Sequence, residues 1–556
     1  MRRIKATAMS VWIVTACGDS GVATTSGASS SSSASSGDVT TTTGGQTPTS
    51  TGDDAPTGTG SATGGATTTS TTGTTGAVSI TSGEPETTTS SASTSGTTTS
   101  TSTDTTSTSG DSSSSTGDTA SSSTGEPPPA LGPFDVDDLA AGQGHACAVL
   151  HSGRVKCWGG YTDAGDLGIG NLDPHGTTPG TMGNNLPLVD LGKDQLASAV
   201  DSYYTGCAIL GGGQLKCWGD ATFGALGTGA GESLGDQPGE MGDLLKPIDL
   251  GKNRTATQVA TAVWTVCAVL DDNSAKCWGW NGNGWLGQGD KNDRGDGPGE
   301  MGDNLKPIDL GKDRKVVTIA IDNSHACALL DDATVKCWGQ QTEGNLGNGQ
   351  PGLGAVGDAP GEMGDNLKPL SFGAGRTVKQ LGVGARHACV ILDDDKVKCW
   401  GSNNYGQLGL GDMQNRGDDP GELGDALPYV DLGKNRTAIQ IAAAYFHSCA
   451  ILDDNSLKCW GAGSFGANGQ GETSNRGDAP GEMGDNLPPI DLGAGRHAIK
   501  AAPGANYNCA LLDNHKVKCW GVGGSQGALG YEDMEHRGDA PGEMGDNLPF
   551  IDLGSE

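Results

Sequence analysis

A chain of 556 residues with 66 acidic and 34 basic side chains carries a formal charge of −32, which argues against a nucleic-acid binder needing a basic footprint. Only 34% of it is hydrophobic and 4% aromatic, and no apolar run approaches the roughly 18–20 residues that a bilayer span requires. The averages hide a division: of 11 Trp, 8 Tyr and 6 Phe, only Trp12 precedes residue 131.

The N-terminus reads Met1-Arg2-Arg3-Ile4-Lys5, followed by a modest apolar stretch that ends Val14-Thr15-Ala16-Cys17. A basic start, a short apolar core and small residues before a cleavage point are the parts of an export signal, expected here over residues 1–16. The placement of Cys17 resembles the lipobox of bacterial lipoproteins, which implies acylation of that cysteine as the mature N-terminus. The chain is accordingly expected to be exported, as an outer-membrane or cell-surface lipoprotein that meets the membrane only through this lipid.

Residues 17–130 follow as a tether. Positions 18–126 hold 64 Ser or Thr, ten acids, no Lys or Arg and no aromatic residue. Such a segment cannot bury enough surface to offset chain entropy, so it is expected to be disordered. As a flexible coil it would span roughly 55–60 Å.

From residue 131 to 556 the chain repeats itself. Cysteines recur in pairs: Cys147 with Cys157, Cys207 with Cys217, Cys267 with Cys277, Cys327 with Cys337, Cys389 with Cys399, Cys449 with Cys459, and Cys509 with Cys519. Partners are always ten apart, and the period between pairs is 60, once 62. Fourteen cysteines are thereby accounted for, and Cys17 is left alone. Each pair encloses two β-prone runs around a polar turn, as in Cys147-Ala-Val-Leu-His-Ser-Gly-Arg-Val-Lys-Cys157. Folding such a hairpin about Ser152 sets Cys147 opposite Cys157 and Val149 opposite Val155, close enough for a disulfide. Zinc is the rival use of these thiols, but it favours spacings of about two to four residues and a second pair nearby. An exported chain also meets an oxidising compartment. Seven disulfides are expected.

After each Trp-Gly come a loop, an acidic insert such as Arg476-Gly-Asp-Ala-Pro-Gly-Glu-Met-Gly-Asp-Asn-Leu487, and a Pro-Ile-Asp-Leu-Gly segment. Another β-prone run leads into the next cysteine. One repeat thus offers about four short strands, the content of a propeller blade.

His387-Ala-Cys-Val-Ile-Leu and Val397-Lys-Cys-Trp-Gly-Ser-Asn-Asn-Tyr-Gly-Gln-Leu-Gly resemble the regulator of chromosome condensation repeat family. The resemblance covers residues 131–556 and implies an all-β fold, a seven-bladed β-propeller. It also implies faces that serve as protein-docking platforms, with guanine-nucleotide exchange and β-lactamase inhibition among the family's roles. Exchange and chromatin roles need an intracellular location that the leader and the cysteines contradict. The chain ends on a Pro549-Phe-Ile-Asp-Leu-Gly554 strand with no following blade, and placing it in the first blade's sheet would close the ring.

Several motifs carry no chemistry here. Gly461-Ala-Gly-Ser-Phe-Gly466 and Gly282-Asn-Gly-Trp-Leu-Gly287 spell a dinucleotide pattern but open no helix after a βαβ-type strand. His145, His325, His387 and His447 share one repeat position, where Thr205, Thr265 and Tyr507 stand in other copies, so structural hydrogen bonding is expected of them. No nucleophile–base pair has local support, and no catalytic residue is assigned.

Six inserts carry Asp…Glu…Asp sets, from Asp236, Glu240 and Asp243 in the first such insert to Asp539, Glu543 and Asp546 in the last. Oxygen ligands in glycine-rich loops suit calcium, yet the spacing matches neither an EF-hand nor a calcium-binding nonapeptide repeat, so solvated acidic loops without a cofactor are expected.

Positions alike in all copies answer a shared structural demand, and positions that differ are free to serve a ligand. Four and three residues before the first cysteine stand Tyr203, Tyr204, Trp264, Arg386, Tyr445 and Phe446, types that anchor interfaces. They form a contact surface if they share one rim, and are equally suited to packing between blades. The expectation is a monomeric, non-catalytic module that binds a protein or surface glycan. A calcium-dependent adhesin or structural envelope protein is the second reading, and an envelope hydrolase the third.

Overall fold

The computed structural model describes residues 131–160, 164–352, 354–524 and 526–555. The expected leader, Cys17 and the tether lie outside these residues. The described chain forms seven antiparallel sheets, and the described helical residues are confined to single 3₁₀ turns. Blade 1 is Val136–Ala141, His145–Leu150 and Val155–Gly159 in sheet order, and each later blade repeats that meander.

The first strand of every blade lies innermost. These strands are Val136–Ala141, Ala197–Ser202, Ala256–Thr261, Val316–Ile321, Val378–Val383, Ala438–Ala443 and Ala498–Pro503. The middle strand is buried at all six positions in every blade, because both faces pack on neighbouring blades.

Cysteine faces cysteine across the middle and third strands in all seven hairpins. The seven expected disulfides are present, one per blade, with Cα atoms 4.1 Å apart in each. Cys147 is bonded to Cys157, Cys207 to Cys217, Cys267 to Cys277 and Cys327 to Cys337. In the last three blades Cys389 is bonded to Cys399, Cys449 to Cys459 and Cys509 to Cys519.

A fourth strand, Gly354–Val356, is complete only in blade 4. Elsewhere the outer edge is reduced to single bridges such as Gly279 to Arg294 and one further bond such as Ile248 N–H to Leu215 O. The expectation of four strands is corrected to three plus a fragment. The edge segments are rich in Pro and Gly, and a proline supplies no ladder N–H.

Seven apolar clusters lie between adjacent blades. Each joins the disulfide of one blade to the tryptophan of the next, as Cys207 and Cys217 join Trp278. All seven Trp-Gly tryptophans are fully buried. Their Nε1–H groups donate across the interface at 2.9–3.1 Å to loop carbonyls of the preceding blade. The glycine that follows holds φ near +100°, and at Gly401 a Cβ would collide with the Arg386 carbonyl.

The lysine before each second cysteine is a further clip. Lys216 Nζ donates to Leu191 O of the preceding blade at 2.7 Å and to Gly242 O of its own insert at 3.0 Å. The same pair of bonds recurs at Lys156, Lys276, Lys336, Lys398, Lys458 and Lys518. Burial pulls each ammonium below the usual lysine range.

The ring closes without the strand exchange expected from the sequence. Ile551 N–H donates to Val517 O, so the C-terminal segment edges its own seventh blade. The first and seventh blades meet through the same bonds as any other pair. Trp158 donates to Ala528 O, Lys156 to Leu553 O, and Val136 N–H to His515 O. Because the Pro-Ile-Asp-Leu-Gly segment always completes the blade before it, blade 1 needs no borrowed strand.

Candidate binding face

The six residues expected to make contacts all lie in the short turns linking the innermost and middle strands, two residues long in blade 2 and three in blades 3, 5 and 6, and therefore share one rim. They divide into two aromatic groups and a central plug. On blades 2 and 3, Trp264 packs edge-on against Phe223 and Trp280, with centroids 5.4 and 6.3 Å away, and Trp280 packs against Trp285 at 4.7 Å. Phe223 is 39% exposed, so the group reaches solvent. On blades 5 and 6, Phe446 packs against Tyr445 at 4.2 Å and Tyr405 at 4.9 Å. Arg386 is exposed between the groups, its Nη1 lying 3.5 Å from Glu343 Oε1.

Tyr203 and Tyr204 pack on one another at 5.4 Å, but Tyr203 is turned to the ring axis. Its hydroxyl donates to Gln143 Oε1 of blade 1 at 2.7 Å and accepts from Asn323 Nδ2 of blade 4 at 3.0 Å. Burial pushes that hydroxyl well above the usual phenol range. Tyr203 thus ties blades 1, 2 and 4 together and belongs to the frame as much as to the rim. The partners Gln143 and Asn323 stand in the same variable turn, one position before that of Trp264 and Phe446. Phe223, Trp280 and Tyr405 come from the loop after Trp-Gly, which varies among the seven copies and so offers a sequence signal for them.

Three of the four repeated histidines act between blades, while His325 Nδ1 lies 3.2 Å from Ser324 Oγ of its own blade. His145 Nε2 lies 2.5 Å from Ser202 Oγ, and His387 Nε2 lies 2.9 Å from Ser448 Oγ. His447 Nε2 donates to Asn508 Oδ1 at 3.0 Å. Burial drops His325 and His387 to about 3 and His447 to about 4, so these rings are neutral.

The acidic inserts are also structural in their geometry. Glu362 Oε2 accepts from the N–H groups of Gly357, Asp358 and Ala359 at 2.8–3.1 Å, closing its own loop. Glu482 and Glu543 do the same with three N–H groups, and Glu240, Glu300 and Glu422 with two each. The last aspartate of each set accepts a backbone N–H from the preceding blade, as Asp303 Oδ1 does from Lys252 at 2.9 Å. In the first copy Thr181 Oγ1 and Asn184 Oδ1 take over these two tasks without charge. Among the described residues no three His, Cys, Asp or Glu side chains gather into a cluster able to hold a metal ion.

Beneath the rim runs a central channel, a cavity of 410 Å³ walled by all seven innermost strands. Asp138, Asp201, Asp322 and Lys500 reach its wall.

Residues 378–407 and 438–467 match one model of the regulator of chromosome condensation (RCC1) repeat, and residues 394–451 match a second. The chain is 25% identical over 404 residues to the ultraviolet-B receptor UVR8 of Arabidopsis thaliana, covering 70% of this chain and 78% of that protein. It is 25% identical over 210 residues to the human E3 ubiquitin-protein ligase HERC2, a match spanning 38% of this chain and only 4% of the ligase. Among solved structures, human WBSCR16 superposes with a TM-score of 0.50 at 17% identity, covering 66% of this chain and 85% of that one. This structural likeness concerns the fold alone.

Proposed function

From the premise that this chain carries RCC1 repeats folded into a seven-bladed propeller, we propose that it is a non-catalytic binding module whose partner, a protein or surface glycan, docks on the aromatic rim. The observation that carries this reading is the contrast along one repeat. The Cys, Lys and Trp positions are identical in all seven blades, whereas the turn just before the first cysteine differs in each and brings Trp264, Phe446, Tyr445 and Arg386 to one face. Aromatic and arginine side chains supply large contact area at low entropic cost. The reading calls for no cofactor, since the insert carboxylates are engaged with backbone N–H groups.

The same proposal places the propeller outside the cytoplasm, tethered through Cys17 and the Ser/Thr-rich segment. Seven buried disulfides suit an oxidising compartment, and the 14 cysteines they use leave Cys17 free for lipid. Globomycin treatment of expressing cells is expected to accumulate the uncleaved precursor, and unaltered processing would overturn the anchor.

Docking is tested by capture from envelope extracts with the full chain and with its Trp264→Ala and Phe446→Ala variants. The variants are expected to lose the partner while melting like the parent. Protease treatment of the extract distinguishes a protein partner from a glycan, which periodate would destroy instead. Undiminished capture by both variants would overturn the rim.

A further inference from the structure

The central channel offers a site that the rim reading does not use. At 410 Å³ it falls in the range of small-molecule sites, about 300–1,000 Å³. Of the charged groups on its wall, two neutralise each other: Lys500 Nζ lies 2.5 Å from Asp138 Oδ1, and Asp138 Oδ2 accepts from Val200 N–H at 3.1 Å. Asp201 is held by Thr261, whose N–H and hydroxyl donate to Oδ2 at 2.6 and 3.1 Å.

Asp322 is different. It is only 8% exposed, and its carboxyl takes part in one hydrogen bond, from the N–H of the adjacent Asn323 at 2.6 Å. Among the described residues no cation lies within ion-pair distance of it. Burial alone pushes the carboxyl up to about 7. A carboxylate taken out of water without a counter-charge is costly, and a ligand that brings a positive charge recovers that cost. Thr257, Thr261, Ser202 and Tyr445 complete the wall, the hydroxyls of Ser202 and Thr261 being engaged with His145 and Asp201. The three carboxyls do not converge into a metal-holding cluster, so the positive charge must arrive on a group that donates hydrogen bonds.

We propose that the channel binds a small organic cation, a primary amine or diamine, whose ammonium group is received by the Asp322 carboxylate in the negative field of Asp201. No bond is made or broken, and the site is separate from the aromatic rim.

The test is calorimetric titration of the full chain with putrescine at about pH 8, where Asp322 is ionised. A saturable single-site heat is expected, and the uncharged diol of the same length should give none. Asp322→Asn is expected to weaken putrescine by about tenfold or more. It keeps an acceptor for the Asn323 N–H and removes a buried charge, so its melting temperature should match or exceed the parent's. Asp313→Asn removes the same charge from an exposed loop outside the channel and should leave the affinity unchanged. Should Asp322→Asn fail to fold, Asp201→Asn carries the same comparison against Asp313→Asn. The proposal is overturned by absence of saturable heat, by equal weakening in the channel and loop variants, by equal binding of the diol, or by displacement of putrescine by equimolar calcium chloride.

Discussion

The interface between two blades and the rim above it are built from the same repeat and obey opposite rules. At the interface the disulfide, the buried tryptophan and the lysine clip recur seven times with hydrogen bonds that vary by only a few tenths of an ångström. At the rim, in the turns that lead into the middle strands, the side chains run from Gln143 to Trp264 to Arg386. Repetition at the interface lets the seventh blade meet the first as any neighbour would. Divergence at the rim leaves one face free to be particular. The comparison predicts that damage to the interface is read as stability and damage to the rim as recognition.

The largest effect should come from the disulfides. Each closes a short loop and contributes about 2–3 kcal/mol by restricting the unfolded chain, so loss of all seven should remove most of the net stability. They are fully buried, so reduction must be carried out in denaturant before refolding is attempted. The reduced chain is expected to melt far below the oxidised one, and equal melting curves would refute the staple reading. Next comes Trp278→Ala, which empties an interface and deletes the bond to Ala225 O, at a cost of about 3–5 kcal/mol in chemical denaturation. Trp264→Ala, on the same blade, should cost less than about 1 kcal/mol while abolishing capture. If the two tryptophans behave alike, frame and rim are not separate.

Acid should act on the interface in a known direction. His325 and His387 titrate at about 3 and His447 at about 4 in the fold, against 6.5 when free. The unfolded chain therefore takes up protons first as pH falls, and stability that is complete above about 6.5 is lost toward 4, at about 1.4 kcal/mol per pH unit for each ring. Asp322, raised to about 7 from 3.8, works the other way and offsets one of them over that window. Asp201, also raised by burial, adds to that offset, so the net expectation is a loss of stability between pH 6 and 4 smaller than the three rings alone would give. Replacing His325 and His387 with threonine, the residue of blades 2 and 3 in that slot, should move the acid midpoint lower. An unmoved midpoint would show that those rings carry no such linkage.

The repeat, the hairpin register and the cysteine pairing were legible because they depend on local spacing: Val149 faces Val155 as counted along the chain, and Cys399, Cys459 and Cys519 each meet the cysteine ten residues before them. The role of the histidines was legible because other copies put Thr or Tyr in their place. Closure was not legible, since whether Ile551 edges the seventh blade or the first depends on which way every such segment turns, a choice that leaves the sequence unchanged. The lysine clip did leave a signal, seven copies of Lys-Cys-Trp-Gly, but a lysine beside a tryptophan reads as a solvated face until its Nζ is seen at 2.7–3.0 Å from two carbonyls. The insert acids likewise read as solvent-facing charge, and only the fold shows Glu362 gathering three backbone N–H groups. The channel was hidden for a related reason. Asp138 and Asp201 sit at different positions of their strands and Asp322 just past the end of its own, so no period marks the side that meets the axis.

The smallest expected effect tests how far the seven copies are truly equivalent. Between the middle and third strands every hairpin turn places the equivalent residue in the left-handed region: Gly153, Gly213 (with Gly212 before it also at positive φ), Asn273, Asp395, Asn455, His515 and, in blade 4, Ala333 with φ of 61°. Glycine enters this region freely, and Asn or Asp is partly compensated by local hydrogen bonding, but alanine has only a Cβ pressed toward the carbonyl, at a cost of about 1–2 kcal/mol. Ala333 N–H still donates to Leu330 O at 2.9 Å and its carbonyl accepts from Val378 N–H of the next blade, so the conformation is imposed by the repeat rather than chosen by the residue. Ala333→Gly should therefore stabilise the protein, by about 0.5–1 kcal/mol once the added freedom of the unfolded chain is subtracted. Gly153→Ala, its mirror in blade 1, should destabilise by a similar or larger amount, because its Cβ would also press on Leu196 at 2.8 Å. Denaturant midpoints that shift in opposite directions for the two exchanges would show that blades 1 and 4 answer to one backbone, and a stabilised Gly153→Ala variant would show that they do not.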